Sequence, residues 1–404
     1  MKILDEIKPN KDDEKLVLDM VNKVLKSIKL DDLNLELGGS FAKNTWLKNN
    51  HDIDIFVRFP YEKYRDRDLS NILKSRLKKY KLIHGSRDYF QIKKGDYVIE
   101  LIPVLDIEDS KQAKNITDVS PLHTKWVKTN LHDPDQVRLI KKFCKAQNVY
   151  GAESYIRGFS GYVLEILTVY YKTFFNLVER ASEWQKNTLI DASKFYKNKQ
   201  EAIKKLNKDK LSPLIVIDPV QQDRNAAAAL SEEKFEKFIK SCKEFMKNPS
   251  NDFFIERKID ITELKLESGN NTLIIIKAWP LDGKKDIIGS KLLKSFVYIN
   301  KKLKEEGFKV IKCDWSFDKH GFFWFYIKNN NLSLLKKHYG PPHNEEKYVE
   351  EFTKKWQNYE IKRDEDRIYV EIKRRFTKLN DFIISLLKDK YIKDNVRKIK
   401  LMNY

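Results

Sequence analysis

The order of apolar and polar positions divides the chain into three stretches of different character. After Asn10, apolar residues recur at three- and four-residue steps (Leu16, Val17, Met20, Val21, Val24, Leu25, Ile28), the period of a helix that buries one face. Leu33 to Leu37 alternates apolar with polar and predicts a strand ending at Gly38-Gly39-Ser40. Ile53, Ile55 and Val57 alternate with Asp52, Asp54, Phe56 and Arg58, a second strand. A helix is expected from about Ser70 to Tyr80. Two strands then flank the hairpin signal Lys94-Gly95-Asp96, the second running from Tyr97 to about Leu105.

From Asp133-Pro134 the pattern turns helical, with Asp133 able to cap and Pro134 suited to a first helical position. Phe159, Tyr162, Val163, Ile166, Leu167, Tyr170 and Phe174 form one apolar helical stripe, read as core. Residues 191 to 210, with seven lysines against three acids, predict a solvated helix or loop. Past the turn cluster Asn248-Pro249-Ser250, the spacing predicts a strand at 272–278 and a long helix at 291–305. Strands follow at 310–317 and 322–327, joined through Asp318-Lys319-His320-Gly321. Gly340-Pro341-Pro342 reads as a break, 367–372 as a strand, and 378–388 as the last helix. The expectation is an α+β multidomain protein: an α/β head at 1–130, a mainly helical part at 131–248, and an α+β body with a tail at 249–404.

Composition changes this picture in two ways. With 404 residues, 41% of them apolar and 12% aromatic, the chain is too long for one ordinary domain and too apolar for a disordered polycation. No apolar run approaches a membrane span, and the start, MKILDEIKPNKDDEK, has no apolar core of a signal peptide. Three cysteines (Cys144, Cys242, Cys313), far apart and without metal spacing, argue against a disulfide framework or zinc site and for a reducing cytoplasm. The net charge of +20 points to a polyanionic partner, nucleic acid first. Residues 1–128 hold 25 basic and 21 acidic side chains, only +4, so the remaining +16 lies in the later two-thirds.

Chemistry concentrates in Gly38-Gly39-Ser40-Phe41-Ala42-Lys43 and Asp52-Ile53-Asp54. Two carboxylates two residues apart on a strand share a face, and they repel unless a cation lies between them. Hard oxygen donors favour Mg²⁺, which accepts one or two carboxylates plus substrate phosphates. A Gly-Gly-Ser turn upstream offers N–H groups and a hydroxyl to a phosphate chain. Glu100, on a later strand, supplies a third acid. An Asp-x-Asp alone is commonly a solvated strand face; joined to the turn and the third acid it predicts two-metal nucleotidyl transfer, with Asp52, Asp54 and Glu100 both catalytic and metal-ligating.

These residues resemble the nucleotidyltransferase superfamily that includes DNA polymerase β and the poly(A) polymerases. A longer series resembles the archaeal, class I CCA-adding enzymes, or tRNA nucleotidyltransferases. It comprises Ser120-Pro121-Leu122-His123-Thr124, Val137-Arg138-Leu139-Ile140-Lys141, Val149-Tyr150-Gly151-Ala152-Glu153, Arg157-Gly158-Phe159-Ser160-Gly161-Tyr162, Asp218-Pro219-Val220, Arg224-Asn225-Ala226-Ala227-Ala228 and Tyr339-Gly340-Pro341-Pro342. The resemblance implies a polymerase β-like head, a helical neck, and a body and tail that bind RNA. It implies template-independent addition of C, C and A to the tRNA 3′ end from CTP and ATP, with pyrophosphate release. Ser40 and Lys43 would meet the triphosphate, and His123, Lys141 and Tyr150 the incoming nucleotide, with Arg224 reading its base. Lys43 stands where arginine is common, keeping charge but not the planar fork; Glu100 stands where aspartate is frequent. The acceptor arm of tRNA would be held by shape and phosphates, and the family resemblance also admits a homodimer. The alternatives are a poly(A)- or oligoadenylate-type nucleotidyltransferase acting on other RNA, and a non-catalytic RNA-binding protein. The second predicts a lost metal acid, and all three acids are present.

Overall fold

In a computed structural model, which describes residues 3–402 except 27, 29, 31, 49–51 and 258, the alternating segments of the N-terminal stretch pair as one five-stranded sheet. Its strands are β1 (Asn34–Leu37), β2 (Asp52–Pro60), β3 (Lys81–Ile83), β4 (Tyr89–Lys94) and β5 (Tyr97–Asp106), in the order β1-β2-β5-β4-β3. The pairing is mixed: β2 runs parallel to β5, and every other neighbour is antiparallel. Ile53, Ile55, Val57 and Phe59 of β2, with Ile99, Leu101 and Leu105 of β5, bury one face of the sheet. Against them pack Val17, Val21 and Val24 of the helix Lys11–Lys26, and Leu69 and Leu73 of the helix Leu69–Arg76. Asn10 and Asp13 exchange backbone-to-side-chain hydrogen bonds of 2.8 and 2.9 Å, a reciprocal cap that starts the longer helix. Strand alternation then leaves Asp52, Asp54 and Glu100 facing away from this core.

A second core lies under the helices Ser120–Asn130, Pro134–Ala146, Gly161–Tyr171, Phe174–Ala181 and Glu232–Lys247, with Phe143, Phe159, Phe174, Phe238 and Phe245 at its centre. Asp133 caps the second of these, as its sequence predicts, by accepting from the N–H of Asp135 at 2.9 Å. The Phe159–Phe174 stripe is not one helix. Lys172 adopts φ +71°, and Thr173 caps a new helix at Phe174, so the stripe folds back on itself within the same core. Two short parallel strands, β6 (Thr188–Ile190) and β7 (Leu214–Val216), flank the lysine-rich segment, which forms the short helix Lys199–Lys205.

Contacts divide the chain into two compact units, Met1–Arg257 and Lys258–Tyr404. The second has its own core. Strands β8 (Thr272–Trp279), β9 (Val310–Phe317) and β10 (Gly321–Ile327) form an antiparallel sheet covered by the helix Lys285–Glu306, which starts earlier than its sequence suggests. A smaller sheet holds β11 (Leu335–Pro342), β12 (Lys362–Arg363) and β13 (Arg367–Lys373). Gly340-Pro341-Pro342 is therefore strand rather than break. It closes an edge strand, where prolines are tolerated, and the pairing with β13 is interrupted there as the register skips from Tyr339 to Pro342. The expected helix at 378–388 is present as Leu379–Leu386, a further short turn of helix follows at Lys390–Lys393, and a strand absent from the sequence reading, β14 (Lys398–Met402), pairs with β8.

Candidate active site

Parallel pairing places Glu100 directly opposite Asp54, and Asp52 opposite Val98, so the three acids share the face of β2 and β5 turned away from the core described above. Gln91, opposite Glu100 on β4, donates from Nε2 to Glu100 Oε1 at 2.7 Å. Above Asp54 sits the short helix Gly39–Ala42, tied down by a 2.8 Å bond from the Gly38 N–H to the Asp54 carbonyl. Gly39 is required there twice over: its φ is +57°, and a Cβ would stand 1.7 Å from Asp54 Oδ2. Backbone and carboxylate are thus in direct contact, with Ser40 at the next position.

The electrostatics register how crowded this face is. Burial raises the Asp54 carboxyl to about 7, and the charges of Glu100 and Asp52 add to the rise, while Lys43 opposes it. Tyr89 is pushed up to about 12 by burial and by the same three acids. Among the described residues, no three His, Cys, Asp or Glu side chains are gathered as a group that could enclose an ion. The donor set nevertheless fits a divalent cation. Mg²⁺ needs only one or two carboxylates when phosphates complete its shell, and a cation would offset both the burial and the neighbouring charges that keep Asp54 from ionising.

Lys43 and Lys141 meet in one buried cluster. Lys43 Nζ donates to Glu165 Oε2 at 2.6 Å, and Lys141 Nζ donates to Glu165 Oε1 at 3.1 Å. Thr45 donates to the same Oε1 at 2.7 Å, and its hydroxyl and carbonyl accept from Lys141 at 2.9 and 3.2 Å. Lys141 therefore lies on no solvated face; it is only 4% exposed. Burial alone would push the Glu165 carboxyl up, but Lys43, Lys141 and Thr45 outweigh it and hold the group down at about 2. Burial lowers the Lys141 ammonium, and Lys43 reinforces this, against the attraction of Glu165. Gly161 keeps the site narrow: a Cβ there would sit 3.2 Å from the Tyr150 hydroxyl and 3.5 Å from Lys141 Cε. Tyr150 is mostly buried, and that burial raises its phenol well above the ordinary range.

His123, near the start of the helix Ser120–Asn130, stacks on Tyr162 with ring centroids 4.2 Å apart, and its Nε2 lies 3.1 Å from Asp218 Oδ2. The fully buried Asp218 also pairs with Arg224 and accepts from the Tyr162 hydroxyl at 3.2 Å and the Val220 N–H at 2.9 Å. Despite burial, its contacts with His123 and Arg224 and the Val220 N–H hold it at about 2. Tyr162 links the two clusters, since Lys43 Nζ lies 6.0 Å from its ring centroid.

The structure thus gathers Asp52, Asp54 and Glu100 on one face, Lys43 with Lys141, and His123 with Arg224. Sequence reading missed the buried anions that organise the last two groups, Glu165 and Asp218, as well as Thr45. A signal existed for Glu165: it is the one acidic residue inside the apolar stripe 159–174, and a buried charge demands partners. Arg138 was missed for another reason. Fully buried, it donates to the Trp46 carbonyl at 3.0 Å and to Asn44 Oδ1 at 2.6 Å, fastening the Lys43 loop to the helix Pro134–Ala146 from 92 residues away.

Comparison with known proteins is consistent along the chain. Residues 18–123 match the nucleotidyltransferase domain, 135–255 the second domain of tRNA nucleotidyltransferase, and 268–399 the C-terminal domain of the CCA-adding enzyme. The CCA-adding enzyme of Nanoarchaeum equitans is 36% identical over 350 residues, 84% of each chain. That of Saccharolobus islandicus is 33% identical over 379 residues, 91% of this chain and 86% of the other, and that of Sulfurisphaera tokodaii 32% over 386, 93% and 88%. Among solved structures, the Cid1 poly(U) polymerase superposes with a TM-score of 0.47 at 14% identity, over 63% of this chain and 96% of that one.

Proposed function

The chain belongs to the CCA-adding enzymes, the tRNA nucleotidyltransferases of the polymerase β-like superfamily, and from that premise we propose how its own residues perform the reaction. The observation that carries the reading is the face on which Asp54 and Glu100 stand opposite each other beneath the Gly38–Ser40 turn. The substrates are tRNA lacking its terminal nucleotides, CTP and ATP. The primer 3′ oxygen bonds to the α-phosphorus as the α–β phosphoanhydride bond breaks, and pyrophosphate leaves. Asp52, Asp54 and Glu100 would hold Mg²⁺, which supplies charge neutralisation around the transferring phosphoryl group.

Ser40 and Lys43 receive the triphosphate; supporting this, the turn brings the first residue of its helix against Asp54, and Lys43 is close enough to lower that carboxyl. His123 and Tyr150 frame the nucleotide, with His123 held in place by stacking on Tyr162, while Lys141, whose three donors are taken by Glu165 and Thr45, supports the site from beneath. Arg224 reads the base. Its side chain is about one-third exposed, and Asp218 fixes its guanidinium, the condition a planar hydrogen-bonding fork needs for discrimination. We assign residues 1–130 to the catalytic head, 131–248 to the nucleotide-binding neck and 249–404 to RNA binding, with the enzyme working in the cytoplasm as a monomer or homodimer. No helix of the described residues is long and apolar enough to cross a membrane.

The test supplies tRNA ending at its discriminator base with labelled CTP, ATP or both. Two additions with CTP alone and arrest after three with both are expected. Long homopolymer tails, or ATP-only tailing of arbitrary RNA, would instead favour a poly(A)-type enzyme.

A further inference from the structure

A carboxylate in the middle of the apolar face of the helix Gly161–Tyr171 is an expensive choice. A well-packed apolar side chain would serve a purely structural purpose at least as well as a buried ion pair. The partners of Glu165 are unequal in a way that suggests why it is there. The Lys141 ammonium has three acceptors, Glu165 Oε1, Thr45 Oγ1 and the Thr45 carbonyl, and an ammonium has only three donors. The Lys43 ammonium has one acceptor among the described residues, Glu165 Oε2, which leaves two N–H donors. Lys43 also directly follows the short helix Gly39–Ala42, lies within electrostatic reach of Asp54, and has a side chain 10% exposed. Lys141 and Thr45 thus brace the carboxylate, and the carboxylate holds a lysine with donors to spare within electrostatic reach of Asp54.

We propose that Glu165 is a positioning residue for nucleoside triphosphate binding. By gripping one donor of Lys43 it fixes the ammonium with its other two presented to the phosphate chain, and Lys141 and Thr45 keep the grip rigid. Without Glu165, Lys43 is an ordinary flexible cation that loses rotamer freedom each time a nucleotide binds. The inference rests on the reading above that Lys43 meets the triphosphate.

The test measures kcat and KM for CTP with tRNA lacking its terminal nucleotides, together with thermal stability, for wild type, Glu165→Gln, Lys43→Met and the double variant. Glu165→Gln is expected to raise KM roughly ten-fold, the size of one lost charge-assisted contact, while kcat stays within about two-fold. In the Lys43→Met background the same substitution should add almost nothing, because it acts through Lys43. A full additional effect in that background, or an unchanged KM with lowered stability, would overturn the proposal and leave Glu165 a structural residue. Should Glu165→Gln not fold, Glu165→Asp keeps the buried charge balance while withdrawing the carboxylate by one methylene. It should raise KM as well, and an unchanged KM there would also overturn the idea. A wild-type protein that incorporates no nucleotide would instead contradict the proposed function itself.

Discussion

At the residue scale, the decisive property is the reluctance of Asp54 to ionise, buried as it is and facing Glu100 and Asp52. Its carboxyl rises from 3.8 to about 7, so the folded protein binds this proton across a range where the unfolded chain does not. The resulting contribution to stability is present below about pH 4 and is lost as pH rises through about 7, with a ceiling of about 1.4 kcal/mol per pKa unit. Glu165 and Asp218, both held at about 2, contribute in the opposite sense, above the ordinary carboxylate range, and lose that contribution only as pH falls towards 2. Thermal unfolding without divalent metal should therefore show a stability loss between pH 5 and 8 that Asp54→Asn removes. Adding Mg²⁺ should raise the melting temperature more at pH 8 than at pH 5, and an equal rise at both would count against Asp54 as a ligand. The same variant should lower nucleotide incorporation by at least ~100-fold while leaving tRNA affinity unchanged, measured by filter binding. Retained incorporation would place the metal acids elsewhere.

At the scale of elements, much of the architecture was legible because alternation and helical period are local. β1, β2, β4, β5, β8, β9, β10 and β13 lie where their patterns put them. What the patterns could not show is set by partners distant in the chain. The strand β14 exists because β8 offers an edge, and the apolar stripe breaks at Lys172 because its two halves pack back to back. The acids were visible as a spaced motif; the anions Glu165 and Asp218 were not seen as site residues, since their meaning lies in partners as far as 122 residues away. Elements also make a prediction of their own. Gly39→Ala forces a left-handed φ on an L residue and drives a methyl into the Asp54 carboxylate. We expect destabilisation of roughly 1–3 kcal/mol in chemical denaturation and a loss of incorporation out of proportion to it. Wild-type activity in that variant would show that the turn and Asp54 are not mechanically joined.

At the scale of the molecule, charge and chemistry are separated along the chain. Residues 1–128 carry the acids and a net of only +4, and the remainder carries +16. Lys337 over Tyr369 at 4.4 Å, and Lys277 and Lys398 each 5.2 Å from Trp279, give the second unit surfaces that offer cation and ring together. RNA affinity should accordingly fall linearly on a log–log scale with added salt, with a slope of roughly −0.7 to −0.9 for each phosphate neutralised. Asp54→Asn should leave that slope unaltered, and a flat response would remove electrostatics from the account of tRNA binding. The long reach of the active-site contacts has a further consequence, for the time course of folding. Glu165 joins Lys43 across 122 residues, and Arg138 joins Trp46 across 92, so neither bond can repay its loop-closure entropy until both cores of the first unit have met. Refolding should therefore restore helical circular dichroism before it restores nucleotide incorporation, with competence arriving only at the last step of assembly.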